Sequence, residues 1–269
     1  MKNILLLVHD DAGQEARFQA ALDLGRALEG HLVCLDVTIL PALVGADYVG
    51  DAGFSMLLKD ERDREATNRT KLEGRLAHED VPWEWKEATG TLAPCLSDAA
   101  ELADVIVVNR QLDDFPLPDM RTVAGELVVG SGKPILAVPD CLKRLDLDTA
   151  LVAWDGSPSS AAALRAAVPL LRLATRVTIV EIEDDSIQAP AEEAATYLSR
   201  HDIHPEIRRL PAGDKGAAEM ILGQLADDGF GYLVMGGFGH RRFAEALFGG
   251  VTRAMLTKCP VPVFLAHEG

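Results

Sequence analysis

The chain lacks three things: an excess of basic charge, paired cysteines and any long hydrophobic run. Its 269 residues carry 26 lysines and arginines against 42 aspartates and glutamates, a formal net charge of −16. Such a surface repels phosphate backbones and anionic membranes, which argues against general nucleic-acid or membrane binding. The four cysteines, Cys34, Cys95, Cys141 and Cys259, stand far apart with no C-x-x-C pair, so neither a zinc site nor a disulfide framework follows from their spacing. The opening MKNILLLVHDD has one short apolar run, stopped by His9-Asp10-Asp11. It is too short for a secretory leader and reads as a buried strand. No stretch approaches the length of a membrane span, and the expectation is a cytoplasmic protein. What is present, 48% hydrophobic and 25% charged residues, is a globular profile.

The sequence repeats itself. NILLLVHDDAGQEARFQAA (3–21) and DTALVAWDGSPSSAAALRA (148–166) each read as an apolar strand, a polar turn opened by aspartate, and an alanine-rich helix. On this alignment Asp10 and Asp155 hold the same place. ADVIVVNR (103–110) matches FGYLVMGG (230–237), and GKPILAVP (132–139) matches CPVPVFLA (259–266). The first copy carries extra residues around Pro41 to Glu87, and DCLKRLDLD (140–148) forms the hinge. Each copy reads β-α-β-α-β-α-β-α-β. In the second copy strands are expected near 150–154, 177–182, 205–209, 231–235 and 262–266. Short apolar strands alternating with helices indicate parallel sheets covered on both faces. Ligands of such sheets bind beyond the carboxyl ends of the strands, where strand order reverses. Asp155 and Gly236 both lie at such ends.

MGGFGHRRFAEALFGGVT (235–252) places Gly236 and Gly239 after a strand, and Gly249 and Gly250 before a helix starting near Val251. A helix N-terminus offers free N–H groups and partial positive charge to an anion, and glycine lets the anion come close. Thr252 can add a hydroxyl in the first turn, and Arg241 and Arg242 can reach outer phosphates. For any single glycine, a tight strand-to-helix turn explains as much as a ligand does. The ordered set favours a ligand.

This stretch resembles the nucleotide signature of the universal stress protein family, G-x2-G-x9-G followed by Ser or Thr, with Gly236, Gly239 and Gly249 on its glycines. LVAWDGSPSSAAALRAA resembles that family's first strand and loop. The likeness spans the second half fully and the first in outline, as in tandem members. It implies an α/β fold of two tandem, open, parallel five-stranded sheets with helices on both faces. These Rossmann-like, adenine nucleotide alpha hydrolase-like sheets would pair through their closing strands as an intramolecular pseudo-dimer. The domains would be 1–140, degenerate, and 148–269, nucleotide-binding. Carried over, the resemblance has Asp155 and the backbone near Ile182 hold adenosine, Met235 and Gly236 line the pocket floor, and Gly239, Gly249, Gly250, Val251 and Thr252 wrap the phosphates of ATP or ADP, with Mg2+ accompanying them. Two departures stand out. Gly250 takes the place of the expected Ser or Thr, and Trp154 stands where smaller residues are usual, placed to stack on the base or to crowd it.

The first half departs further. Asp113 and Asp114 stand where phosphate donors are needed, and Arg121, Thr122 and Ala124 replace Gly249, Gly250 and Thr252. That half is expected to keep the fold and lose the nucleotide. GSGKP (130–134) fails as a phosphate loop, with Leu127 and Pro134 at required positions, and reads as a helix end feeding a strand. Ser157-Pro158 reads as a helix start, His201 and His204 as a solvated turn, and His9 as a structural histidine. The charged run 59–76 reads as the exposed face of a long helix, and Pro260 and Pro262 as marks of an edge strand. Three functions compete: an ATP-binding stress-response regulator, with protein partners or a homodimer open to it; an enzyme with at most slow ATP hydrolysis, since no general base is evident; and an interaction scaffold that binds no nucleotide.

Overall fold

Apolar runs bounded by turn residues become the strands, and alanine- and leucine-rich stretches between them become the helices. The structure, a computed structural model, describes residues 1–40, 51–112, 118–183, 187–211, 216–238 and 250–268. The first half runs β1 (Asn3–Val8), α1 (Gln14–Leu28), β2 (His31–Ile39), α2 (Asp51–Leu76), β3 (Trp83–Gly90), α3 (Leu92–Ala99), β4 (Val105–Asn109), α4 (Met120–Gly130) and β5 (Ile135–Val138). The second runs β6 (Thr149–Trp154), α5 (Pro158–Leu171), β7 (Arg176–Glu183), α6 (Ala191–Ser199), β8 (Glu206–Pro211), α7 (Ala217–Asp228), β9 (Tyr232–Gly236), α8 (Gly250–Lys258) and β10 (Val263–Ala266). The five strands expected in the second copy are all there, with ends shifted by a residue or two.

The strands form one sheet in the order β3-β2-β1-β4-β5-β10-β9-β6-β7-β8. Each half is parallel throughout. The halves join where β5 and β10 pair antiparallel, Leu136 opposite Phe264. The two five-stranded sheets therefore share one hydrogen-bonded edge, which is the expected pseudo-dimer. The edge-strand reading of Pro260 and Pro262 is overturned, because β10 lies in the middle of the sheet between β5 and β9. Both prolines precede the strand, so no ladder N–H is lost. The Pro262 carbonyl even accepts from the Leu233 N–H at 2.9 Å.

Alternation along the strands sends side chains to two cores, one on each face. Ile4, Leu6 and Val8 join one with Leu72 and Leu76 of α2, while Leu5 and Leu7 join the other with Leu96 and Leu127. Burying each such side chain is worth about 2 kcal/mol. Helix α2 is polar along its outer face, as the charged run predicts. Gly130 ends α4, and Gly132 (φ 63°) turns the chain into β5.

The aligned aspartates are corrected by the sheet register. Leu6 pairs with Val107 and Val152 pairs with Val234, so the residue in register with Asp155 is His9, one before Asp10. The turn from β1 to the α1 N-cap Gly13 is also two residues longer than the turn from β6 to Ser157. Asp10 is exposed, and Asp11 repeats the local bond of Asp155: each carboxylate accepts from the N–H two residues on.

Candidate functional site

In the second half strand order reverses between β6 and β9, so the crevice at their carboxyl ends is the topological switch point. Of the expected site residues, Asp155 follows β6, Ile182 sits near the end of β7, Met235 and Gly236 end β9, and Gly250, Val251 and Thr252 open α8. All face this one end of the sheet. Gly239 and Gly249, like Arg241 and Arg242, lie outside the described residues. In register, Ala153 pairs with Met235 and Trp154 with Glu181.

The turn around Asp155 is rigid. One carboxylate oxygen accepts from the Ser157 N–H at 2.9 Å. Ser157 caps α5 by accepting from the Ser160 N–H at 3.2 Å, with Pro158 at the first helical position. Gln188 N–H donates to the Asp155 carbonyl at 2.8 Å. Gly156, at φ 71°, lies against the Ala189 backbone with no room for a Cβ. Trp154 is sunk in the core and donates from Nε1 to the Ala189 carbonyl at 2.9 Å. It secures the 187–190 segment and offers no stacking face.

The glycines divide by cause. A Cβ at Gly236 would stand 2.5 Å from the Ser160 nitrogen, so β9 needs glycine there to approach the first turn of α5. Gly237 continues the sheet by donating to the Ala266 carbonyl at 2.8 Å. Among the described residues nothing lies within 4 Å of a Cβ placed on Gly250, so none of them requires a glycine there. Thr252 is 4% exposed, and its hydroxyl oxygen accepts from Phe238 N–H at 3.4 Å, joining the strand end to the helix start. Phe238 holds φ 57°, a strained value for a bulky residue. Sequence reasoning missed His267, whose Nδ1 lies 2.9 Å from the Gly237 carbonyl and 3.1 Å from Ser159 Oγ. No spacing signal could have joined His267 to Gly237, 30 positions away, or to Ser159, 108 positions away.

The equivalent crevice of the first half is filled. Arg17 is fully buried and donates to the Leu7 and His9 carbonyls, to Asp11 and to Asn109. Asn109 stands where the second half has Gly236, and it also donates to the Gly13 and Val138 carbonyls, both at 3.3 Å. The fourth residue after each N-cap is Arg17 in one half and Ala161 in the other, each bonded to its cap carbonyl. The start of α4 is closed too. Asp119 accepts from the backbone N–H groups of Arg121 and Thr122 and from the Thr122 hydroxyl. Burial opposes ionisation of Asp119, but the Thr122 bonds and the Arg121 charge outweigh it and hold its carboxyl below the usual range. A carboxylate of the chain thus takes the donors that a phosphate would need. Asp113 and Asp114 lie outside the described residues, whereas Arg121, Thr122 and Ala124 all lie in α4.

Residues 147–267 match the Universal stress protein family profile. No curated protein matches the chain by sequence. Among solved structures, a universal stress protein from Archaeoglobus fulgidus DSM 4304 superposes with a TM-score of 0.76, covering 99% of this chain and 96% of its own at 17% identity. A protein of unknown function from Pseudomonas aeruginosa PAO1 superposes with a TM-score of 0.61, covering 100% of this chain and 93% of its own at 15% identity. At such identities these likenesses establish the fold, and they extend it over both halves.

Proposed function

Taking residues 147–267 as a universal stress protein domain, we propose that the chain is an ATP-binding regulatory protein of the stress response with one nucleotide site, in the second half. The carrying observation is the contrast between two equivalent crevices. Arg17, Asn109 and Asp119 fill the first; in the second, Ala161 and Gly236 take the places of Arg17 and Asn109, and Gly250 takes that of Thr122, whose N–H Asp119 binds. Asp155 uses one oxygen on Ser157, and among the described residues the other oxygen has no partner, which suits a ribose hydroxyl. Backbone N–H groups at the start of α8 suit phosphate oxygens. Gly250 is exposed and opens α8, where the first backbone N–H groups have no partner within the helix. Mg2+ bound with the nucleotide would neutralise phosphate charge; what the chain's own residues supply is orientation and N–H donors.

The reading takes 1–140 and 148–269 as the two domains, the protein as cytoplasmic, and the bound nucleotide as a setter of conformation, with hydrolysis slow at most. The test is to denature freshly purified protein and identify the released small molecules by mass spectrometry, then to titrate the emptied protein with magnesium-ATP. About one adenine nucleotide per chain supports it. An empty protein that also takes up no magnesium-ATP overturns it in favour of a scaffold.

A further inference from the structure

At the carboxyl end of β1, in the first half, three metal-ligating side chains converge. His9, Glu61 and Glu65 each present one ligand atom, all within 4.8 Å of one another. His9 Nδ1 lies 2.8 Å from a Glu65 oxygen and 3.9 Å from a Glu61 oxygen. The first contact is an ion-pair distance without good hydrogen-bond alignment, and the Glu65 oxygens also accept from the Asp10 N–H at 3.2 Å and from the Asn68 amide at 3.3 Å. His9 and Glu65 are 4% and 2% exposed, and Glu61 lies at the rim.

A fourth group points the same way. Asp36 is 6% exposed, and its Oδ1 has no hydrogen-bond partner among the described residues. It pairs in register with Val8, next to His9. Alternation along β2 puts it on the face of Leu32 and Cys34, the core that α2 covers with Leu72 and Leu76. Glu65 stands on that covering helix, so Asp36 projects into the space under it. Burial, then the charges of Glu65 and Glu87, push the Asp36 carboxyl up to about 7, only partly offset by Arg69 and His9. A buried carboxylate with an unused oxygen and acidic neighbours is costly in its charged form, a cost relieved by taking up a proton or by a cation beside it. Among the described residues the positive charge at hand is Arg64, which reaches Glu61 at 2.8 Å and Glu65 at 3.8 Å from a half-exposed position, and Arg69, which pairs with Glu73 and Glu87.

We infer that His9, Glu61 and Glu65 bind one divalent first-row transition-metal cation, with the Asp36 carboxylate nearby but outside this set of three ligands. One imidazole nitrogen and carboxylate oxygens suit zinc or manganese. Ligand bonds of about 2.0–2.2 Å separate neighbouring donor atoms by about 3–3.5 Å, between the 2.8 Å and 3.9 Å at which His9 Nδ1 stands from the two glutamates, so modest side-chain shifts would seat an ion. The site owes nothing to the nucleotide reading, since it lies in the half whose crevice is filled.

The experiment is a titration of the nucleotide-free, chelator-stripped full chain with Mn2+, followed by paramagnetic resonance. Manganese avoids confusion with the cysteines. One Mn2+ per chain is expected, displaced by Zn2+ at lower concentration than by Mg2+. Glu61→Gln should weaken Mn2+ binding at least tenfold while leaving the circular dichroism spectrum of the metal-free protein unchanged, because this rim position carries little of the core. Glu65→Gln should abolish binding. Failure of the wild-type chain to bind Mn2+, an unchanged titration for Glu61→Gln, or displacement by Mg2+ as readily as by Zn2+ would overturn the inference.

Discussion

Gly236 and Gly250 serve opposite ends, and substitutions separate them. Gly236→Ala forces a Cβ to 2.5 Å from the Ser160 nitrogen. Backbone cannot yield as a flexible side chain does, so a loss of about 1–3 kcal/mol is expected in denaturant unfolding. Gly250→Phe meets no atom of the described residues at its Cβ and should leave the unfolding midpoint nearly unchanged, while its ring, far bulkier than the Ser or Thr of the family signature, lowers ATP affinity at least tenfold by calorimetry. Equal affinity in that variant would remove α8 from the site. Asp36 gives a pH signature in the metal-free protein. Its folded pKa lies above its unfolded value near 4, so the unfolded state releases the proton first and stability falls as pH rises from about 4 to about 7. Asp36→Asn should therefore stabilise at pH 8 and do little at pH 4, by thermal melting at both. At this scale the sequence was legible where a bond is local. Ser157 as a cap needs only its neighbours, whereas matching Asp10 to Asp155 failed because two extra turn residues leave no trace in composition.

The helix starts show how one element type is used twice. α5 is capped by a hydroxyl and α4 by a carboxylate, while Gly250 opens α8. Removing the α4 cap with Asp119→Ala should cost about 1 kcal/mol, measured by chemical denaturation near neutral pH. Because the folded pKa of Asp119 is depressed, that contribution is present above the ordinary aspartate pKa and disappears as pH falls through the lowered value. A pH-independent difference would mean that Asp119 acts by packing instead. The strands and helices were readable because periodicity is a property of consecutive residues. The place of β10 was not: its neighbour β5 is a remote segment of the same chain, and prolines flanking a strand look alike at an edge and in the middle. The meeting of His9 with Glu65 hides for the same reason, since it depends on how α2 crosses β1.

Across the whole molecule, the halves are held by more than the β5–β10 pairing. Arg110, 9% exposed, donates to the Thr257 carbonyl at 2.9 Å at the end of α8, and the Gln111 N–H donates to Leu256 at 2.9 Å. A cation there also complements the negative end of the helix. Residues 148–269 expressed alone would bare the β10 edge and the apolar residues beside it, and an open edge seeks a partner. Sedimentation should show that fragment self-associated, and a stable monomer would mean that the junction contributes little to folding. Fusion also lets the two crevices differ, as they could not in a pair of identical chains. With Arg17 in one and Ala161 in the other, the proposal leaves one nucleotide site per chain. The proposed occupancy of the protein by nucleotide then follows a simple hyperbola with a Hill slope of about one. Its response to changing nucleotide levels is graded across nearly two decades of concentration rather than thrown as a threshold.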